Sequence, residues 1–281
     1  LVQFSRGCKY SCDFCSIHAF YKDSIRCRDT AAIVEEIKKM PEKHLFFIDD
    51  NLFANEEKAK ELFKALIPLH KKWFCQISMD AAQDIGMLKL MKQSGCTLVI
   101  MGFESLNVDN LKMMKKGANI ENIDYHKIIS NIYACKLMIY GTFVIGYDFD
   151  TLRTIKDTIK FAVDNRFAIA NFNPLMPMPG TALYKRLKKE NRLLFDKWWL
   201  DESYKYGDAM LKLNNLTSME LRNECKKARY EFNSYINIWK RLADRRANAH
   251  SLENIILFLA ANLISRKEIK AKQGQELGGE V

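Results

Sequence analysis

No apolar run in this chain is long enough to cross a bilayer. The longest, IILFLAANLI from Ile255 to Ile264, falls far short of the ~20 residues a spanning helix requires. Nor does a secretory signal open the sequence: Leu1 to Arg6 carries no basic region followed by a long apolar stretch. Both absences point to a cytoplasmic protein. Eight cysteines in that setting argue for metal or redox chemistry rather than a disulfide framework. Internal repeats, low-complexity linkers and hairpin turn signals are missing too, which leaves strand–helix alternation as the organising pattern.

What is present is a chain of 281 residues, 48% hydrophobic, enough for one large domain or a domain with an appendage. The formal charge of +10 raises the question of an anionic partner. Much of the excess comes from lysines on helix faces, such as Lys58, Lys60, Lys64, Lys71 and Lys72. It reads as a solvated basic surface, and a nucleic-acid partner is not expected. Cys75, Cys96 and Cys135 sit in or beside apolar stretches, and Cys225 lies on an apolar helix face; all four read as small buried hydrophobes.

LVQF at Leu1 to Phe4 reads as a first strand. DTAAIVEEIKKM follows as a helix with Asp29 or Thr30 as N-cap. HLFFIDDN, WFCQIS, TLVIMGFES, LMIYGTFVIGYD and AIANFNP read as five further strands, separated by helices that include a stretch from about Val108 to Cys135. Such alternation implies parallel strands with right-handed crossovers. Polar residues gather at the strand ends: Asp49 and Asp50, Gln76 and Ser78, Glu104 and Ser105, Tyr147 and Asp148, Asn171 and Asn173. In an α/β barrel those ends line the active-site face, whereas an open sheet concentrates its chemistry at one switch point. Six strands are fewer than eight, so the expected fold is a partial, TIM-like barrel of the (β/α)6 kind over residues 1–195.

Residues 196–281 read as a mainly helical C-terminal extension. Thr217 and Glu220 form a capping box before one long helix whose apolar face runs Leu221, Cys225, Ala228, Phe232, Tyr235 or Ile236, and Trp239. A second amphipathic helix spans Ser251 to Ile269, and the last dozen residues read as a frayed tail. KRLADRR before that helix is a basic-then-apolar arrangement suited to peripheral association with a membrane surface. A helix packed on the domain explains the same pattern.

The unusual segment is RGCKYSCDFCSIHAFY, where Cys8, Cys12 and Cys15 share one loop and no fourth cysteine follows at matching spacing. Structural zinc takes four ligands; Cys27 and His18 are available, but Cys27 falls outside the spacing of a usual knuckle. A reactive dithiol of Cys12 and Cys15 leaves Cys8 spare. An iron–sulfur cubane normally takes four thiolates, so three leave one iron open to a small molecule.

The C-x3-C-x2-C loop with Phe14 before its last cysteine resembles the radical S-adenosylmethionine superfamily. FIDDNLFAN, GFESLN, FVIGYD and NPLMPMPGTALY look like its cobalamin-associated branch, which includes hopanoid-methylating enzymes. The resemblance implies a [4Fe–4S] cluster on Cys8, Cys12 and Cys15, with S-adenosylmethionine chelating the fourth iron. Reductive cleavage then gives a 5′-deoxyadenosyl radical that abstracts hydrogen from a small-molecule or lipid substrate, with an electron donor of flavodoxin or ferredoxin type. Asp49 and Asp50 would accept from the amino group of S-adenosylmethionine, or else organise their loop. Glu104 and Ser105 match ribose or aminocarboxylate contacts, Gln76 and Ser78 a polar third-strand end. Phe14 would lie near adenine, as would the backbone at Gly141 and Gly146. His18 and Tyr21 have no assigned role. The Pro-rich loop after the sixth strand would wall the substrate pocket, with Trp198, Trp199, Tyr204 and Tyr206 near its mouth.

The branch often carries an N-terminal cobalamin-binding domain, which this chain lacks before its first strand. Cobalamin would then come from a missing domain or another chain, or not be used. Two rivals remain. A tRNA-modifying methylthiotransferase would bring a second cysteine set and a C-terminal RNA-binding barrel, and neither is visible. A non-enzymatic iron–sulfur or zinc module would bind without turnover.

Overall fold

The computed structural model describes residues 1–116 and 123–276. Part of the helical stretch expected between Val108 and Cys135, and the end of the expected frayed tail, lie outside them. In chain order the elements are β1 (Ser5–Arg6), α1 (Ser16–Tyr21), β2 (Arg26–Cys27), α2 (Thr30–Lys38), β3 (His44–Phe47), α3 (Glu56–Leu66), β4 (Lys72–Ile77) and α4 (Ile85–Gln93). They continue with β5 (Cys96–Glu104), α5 (Val108–Met113), α6 (Tyr125–Ala134), β6 (Met138–Ile145), α7 (Leu152–Asp164), β7 (Ile169–Pro174) and α8 (Ala182–Lys189). Three helices follow: α9 (Ser218–Phe232), α10 (Tyr235–Leu242) and α11 (Leu252–Lys272).

Strands β3 to β7 form one parallel sheet in sequence order, as crossover helices between neighbouring strands require. This curled sheet with its helices is the partial barrel expected from the alternation. The leading segment holds the sixth position by a single bridge, Val2 to Phe47. It goes no further because the Asp49 carboxylate accepts the amides of Phe4 and Ser5. The backbone is thereby turned into the antiparallel ribbon of β1 with β2.

Side chains alternate across each strand, and both faces of the sheet are used. Cys75, Val99, Met101, Phe103, Ile139, Phe143 and Phe172 point outward into a core shared with the helices. Each large apolar side chain buried there contributes roughly 1.5–3 kcal/mol. The N-caps follow the sequence: Asp29 accepts from Ala32 N, Asn55 from Lys58 N, and Thr151 forms a capping box with Thr154. Cys75, Cys96, Cys135 and Cys225 are all buried, free thiols.

On the concave face, Phe74, Leu98, Ile100, Met138 and Tyr140 pack against Ile238, Leu242 and Phe258 of α10 and α11. The C-terminal helices thus fill the N-terminal end of the half-barrel. One long helix was expected here, and the chain instead breaks at Asn233. Ser234 caps α10 by accepting from Asn237 N, and the turn rotates the apolar face. Ile238, Arg241 and Leu242 therefore point inward, while Tyr235, Ile236 and Trp239 are exposed. Arg241 is wholly buried. Its guanidinium donates to the carbonyls of Phe167 (2.9 Å), Ala168 (3.0 Å) and Phe232 (2.8 Å) and to Asn262 Oδ1 (2.8 Å). Among the described residues no helix is long and apolar enough to cross a membrane.

Candidate active site

The three-cysteine loop is clamped at both ends. At its start, Gly7 adopts φ 95° and donates its N–H to Asp50 Oδ2 at 3.0 Å. A Cβ there would meet Ser24 O at 2.0 Å, so only glycine fits. Asp49 holds the preceding residues, accepting from Phe4 N at 3.1 Å and from the Ser5 hydroxyl at 2.6 Å. In the middle, Asp13 N donates to Met114 O at 2.9 Å, just beyond α5. Leu183 N of α8 donates to Asp13 O at 2.9 Å, and Tyr147 Oη to Asp13 Oδ1 at 2.5 Å. Burial pushes both the Asp13 carboxyl and the Tyr147 phenol up. Cys15 then stands immediately before α1 and accepts from Ala19 N at 3.2 Å through its carbonyl.

Cys8, Cys12 and Cys15 all line one cleft of about 180 Å³ at the C-terminal ends of the strands. None is in a disulfide. Burial pushes the Cys12 thiol up to about 11 and raises Cys15 as well, so cation or cluster binding must displace protons to form thiolates. Among the described residues no three His, Cys, Asp or Glu converge on a point where one metal ion could sit. In a cubane each thiolate binds its own iron, so ligands ringing a cleft fit a cluster.

Asn51 ties this loop to β4, donating from Nδ2 to Ser78 Oγ at 3.2 Å and approaching Cys8 Sγ at 3.7 Å. Opposite stands an ion pair, Lys116 Nζ to Glu104 Oε1 at 2.8 Å. Burial lowers the Lys116 ammonium, but Glu104 and Cys12 outweigh it and the net shift is upward, so Lys116 stays charged. Glu104 reaches the cleft through an irregular backbone: the register of β5 with β6 shifts between Gly102 and Glu104, and Glu104 has φ 60°. Such conformations cost of order 1–3 kcal/mol and cluster at functional sites. At Gly102 an added Cβ would stand 2.0 Å from Glu104 Oε1 and 2.9 Å from Lys116 Nζ. Glycine is what makes room for the pair.

Phe14, Asp50, Gln76, Ser78 and Glu104 therefore line the same cleft as the three cysteines. Asp49, Ser105 and Gly146 stand outside that lining. Ser105 accepts from Asn107 N at 3.1 Å, and Gly146 N donates to Asp150 Oδ2 at 2.7 Å. Gly141 faces the ring of Phe167. Lys116, Tyr10 and the Asp13–Tyr147 bond were not anticipated. Lys116 sits in a run of lysines that looks like any solvated helix end, and only the fold brings it to Glu104.

The chain matches the Radical SAM superfamily over residues 2–163. It belongs to that superfamily. As a radical SAM protein it is 31% identical over 223 residues to bacteriochlorophyllide d C-12(1)-methyltransferase of Chlorobaculum tepidum, covering 77% of this chain and 48% of that one. It is 26% identical to hopanoid C-2 methylase of Rhodopseudomonas palustris, covering 69% and 39%. Such relatives mark this radical SAM chain as an enzyme. Among solved structures, the cobalamin-dependent S-adenosylmethionine radical enzyme OxsB superposes with a TM-score of 0.59 at 12% identity, over 96% of this chain and 46% of that one. The likeness to OxsB shows the fold. The radical SAM chain spans about half or less of the length of these curated relatives.

Proposed function

We propose that this chain is the radical-generating core of a methyltransferase acting on an unactivated carbon. The carrying observation is that the three thiols share a cleft with one partly buried cation and two carboxylates, Lys116, Glu104 and Asp50. Cys8, Cys12 and Cys15 would hold a [4Fe–4S] cluster, leaving its fourth iron to the amino and carboxylate groups of S-adenosylmethionine. When bound, the cluster supplies the electron that cleaves the sulfonium to methionine and a 5′-deoxyadenosyl radical.

The protein residues bind and orient. Lys116 offers a cation to the methionyl carboxylate, a charge-assisted contact. Glu104 and Asp50 accept from the ammonium or the ribose hydroxyls, with Gln76 and Ser78 beside them. Phe14 covers the adenine side, and the walls of the cleft keep water from the radical. Methyl transfer rests on the relatives, which are named methyltransferases and methylases. OxsB binds cobalamin; for this chain it would come from another domain or another chain, or not be used. A flavodoxin- or ferredoxin-type donor would reduce the cluster.

The test is turnover. After anaerobic reconstitution with iron and sulfide, the brown protein should convert S-adenosylmethionine to 5′-deoxyadenosine in the presence of dithionite, and Cys12→Ala should abolish colour and product together. A colourless zinc protein without product would refute the proposal.

A further inference from the structure

A cleft of about 550 Å³ lies between α6 and the turn that joins α10 to α11, a volume within the roughly 300–1,000 Å³ of small-molecule sites. Lys136 on its wall stands two residues before β6, so the cleft is at the strand starts. It shares no residue with the cysteine cleft. Five basic side chains line it, His126, Lys136, Arg245, Arg246 and His250, and among the described residues no acid does.

That composition departs from the rest of the basic surface. Elsewhere lysines are matched by acids one helical turn away, as in Lys38 with Glu35 at 2.7 Å, Lys58 with Glu61 at 2.8 Å and Lys272 with Glu268 at 2.8 Å. Beside the cleft, Asp244 is already occupied. Its Oδ1 accepts from Arg246 N at 2.9 Å and Ala247 N at 3.2 Å, and stands 3.9 Å from Arg246 Nε. The turn itself is pinned: Asn248 Nδ2 donates to Arg166 O at 2.8 Å and to Arg241 O at 3.0 Å.

His250 supplies a second, independent observation. Its Nδ1 lies 3.1 Å from the Arg245 carbonyl, which can only accept, so Nδ1 carries the proton. Nε2 is buried and has no hydrogen-bond partner among the described residues. Burial, with smaller contributions from the Lys92 and Lys136 charges, lowers the pKa of the ring against the pull of the Arg245 carbonyl. The neutral ring thus offers Nε2 as an acceptor. A buried acceptor without a donor is costly, and a ligand hydroxyl would satisfy it.

We infer that this cleft binds a phosphate-bearing molecule, with Lys136, Arg245 and Arg246 on the phosphate oxygens and His250 Nε2 accepting from a hydroxyl of the same molecule. Arginine suits the role because its planar fork matches phosphate geometry. The chemistry is that of a polyol phosphate, whether a soluble ester or a lipid headgroup. It is independent of the proposed radical chemistry.

The probes are glycerol 3-phosphate and methyl phosphate, titrated calorimetrically into the full reconstituted chain at low salt and about pH 8, above the second phosphate pKa of about 6. Glycerol 3-phosphate should bind saturably, and methyl phosphate about threefold to tenfold more weakly for want of the hydroxyl. Arg245→Gln with Arg246→Gln should weaken binding at least about tenfold. Lys64→Gln with Lys226→Gln, which removes the same charge elsewhere, should leave it unchanged. Circular dichroism confirms folding of each variant, and 5′-deoxyadenosine formation should be equal in all of them. Sedimentation with phosphatidylcholine vesicles containing phosphatidylglycerol separates the sources. Retention lost in the arginine variant assigns the headgroup, and ester binding without retention assigns the soluble ester. Three results overturn the inference: binding of neither ester nor vesicle, equal binding by the arginine and lysine variants, or equal affinity for the two esters.

Discussion

At the residue scale, one ion pair sets the charge of the cleft, with Lys116 Nζ 2.8 Å from Glu104 Oε1. Three cysteines at fixed spacing in one loop carry their meaning locally, because no tertiary contact is needed to see the missing fourth thiolate. The adjacent acids Asp49 and Asp50 could not be separated by sequence. The fold does so by turning the Asp49 carboxylate back to Phe4 and Ser5 while Asp50 lines the cleft. Lys116 is twelve residues from Glu104 in sequence, across α5, and nothing in a lysine-rich stretch marks it. Its role gives a direct prediction. Lys116→Met should weaken S-adenosylmethionine binding by about tenfold to a hundredfold, the equivalent of one charge-assisted hydrogen bond of ~1.5–3 kcal/mol. Lys116→Arg should recover part of that loss. Isothermal titration of the reconstituted protein measures both; wild-type affinity in the methionine variant would remove Lys116 from the site.

At the element scale, caps and strand ends were readable because their signals are short-range. Asp29, Asn55, Thr151 and Thr217 all cap as their positions suggest. The break between α9 and α10 was hidden because the apolar spacing runs through Asn233 without interruption. What the sequence pattern could not show is that a buried arginine, not an aromatic stripe, fixes the second helix. Arg241 closes carbonyls from the start of β7 and the end of α9, and no apolar residue can do so. Arg241→Met should therefore cost roughly 3 kcal/mol or more, since several buried acceptors lose their donor at about 1–3 kcal/mol each. Urea unfolding gives the value from the midpoint at unchanged slope. A loss below about 1 kcal/mol would mean that water replaces the guanidinium.

At the scale of the whole molecule, the half-barrel separates support from chemistry. Helices α10 and α11 fill the concave face at the strand starts, and the cysteine loop and the ion pair occupy the opposite end. This polarity is visible in the sequence as polar residues at successive strand ends, a pattern that alone points to a barrel. The five-strand count was less visible, because the first strand's departure from the sheet depends on Asp49 reaching back over forty residues. On the proposed function, S-adenosylmethionine binds at the one iron for which the loop supplies no thiolate. Electron paramagnetic resonance of the dithionite-reduced, reconstituted protein tests it most directly. Adding S-adenosylmethionine should change the cluster signal in the wild type, because a ligand has reached one iron. A cluster signal that is identical with and without S-adenosylmethionine would contradict the claim.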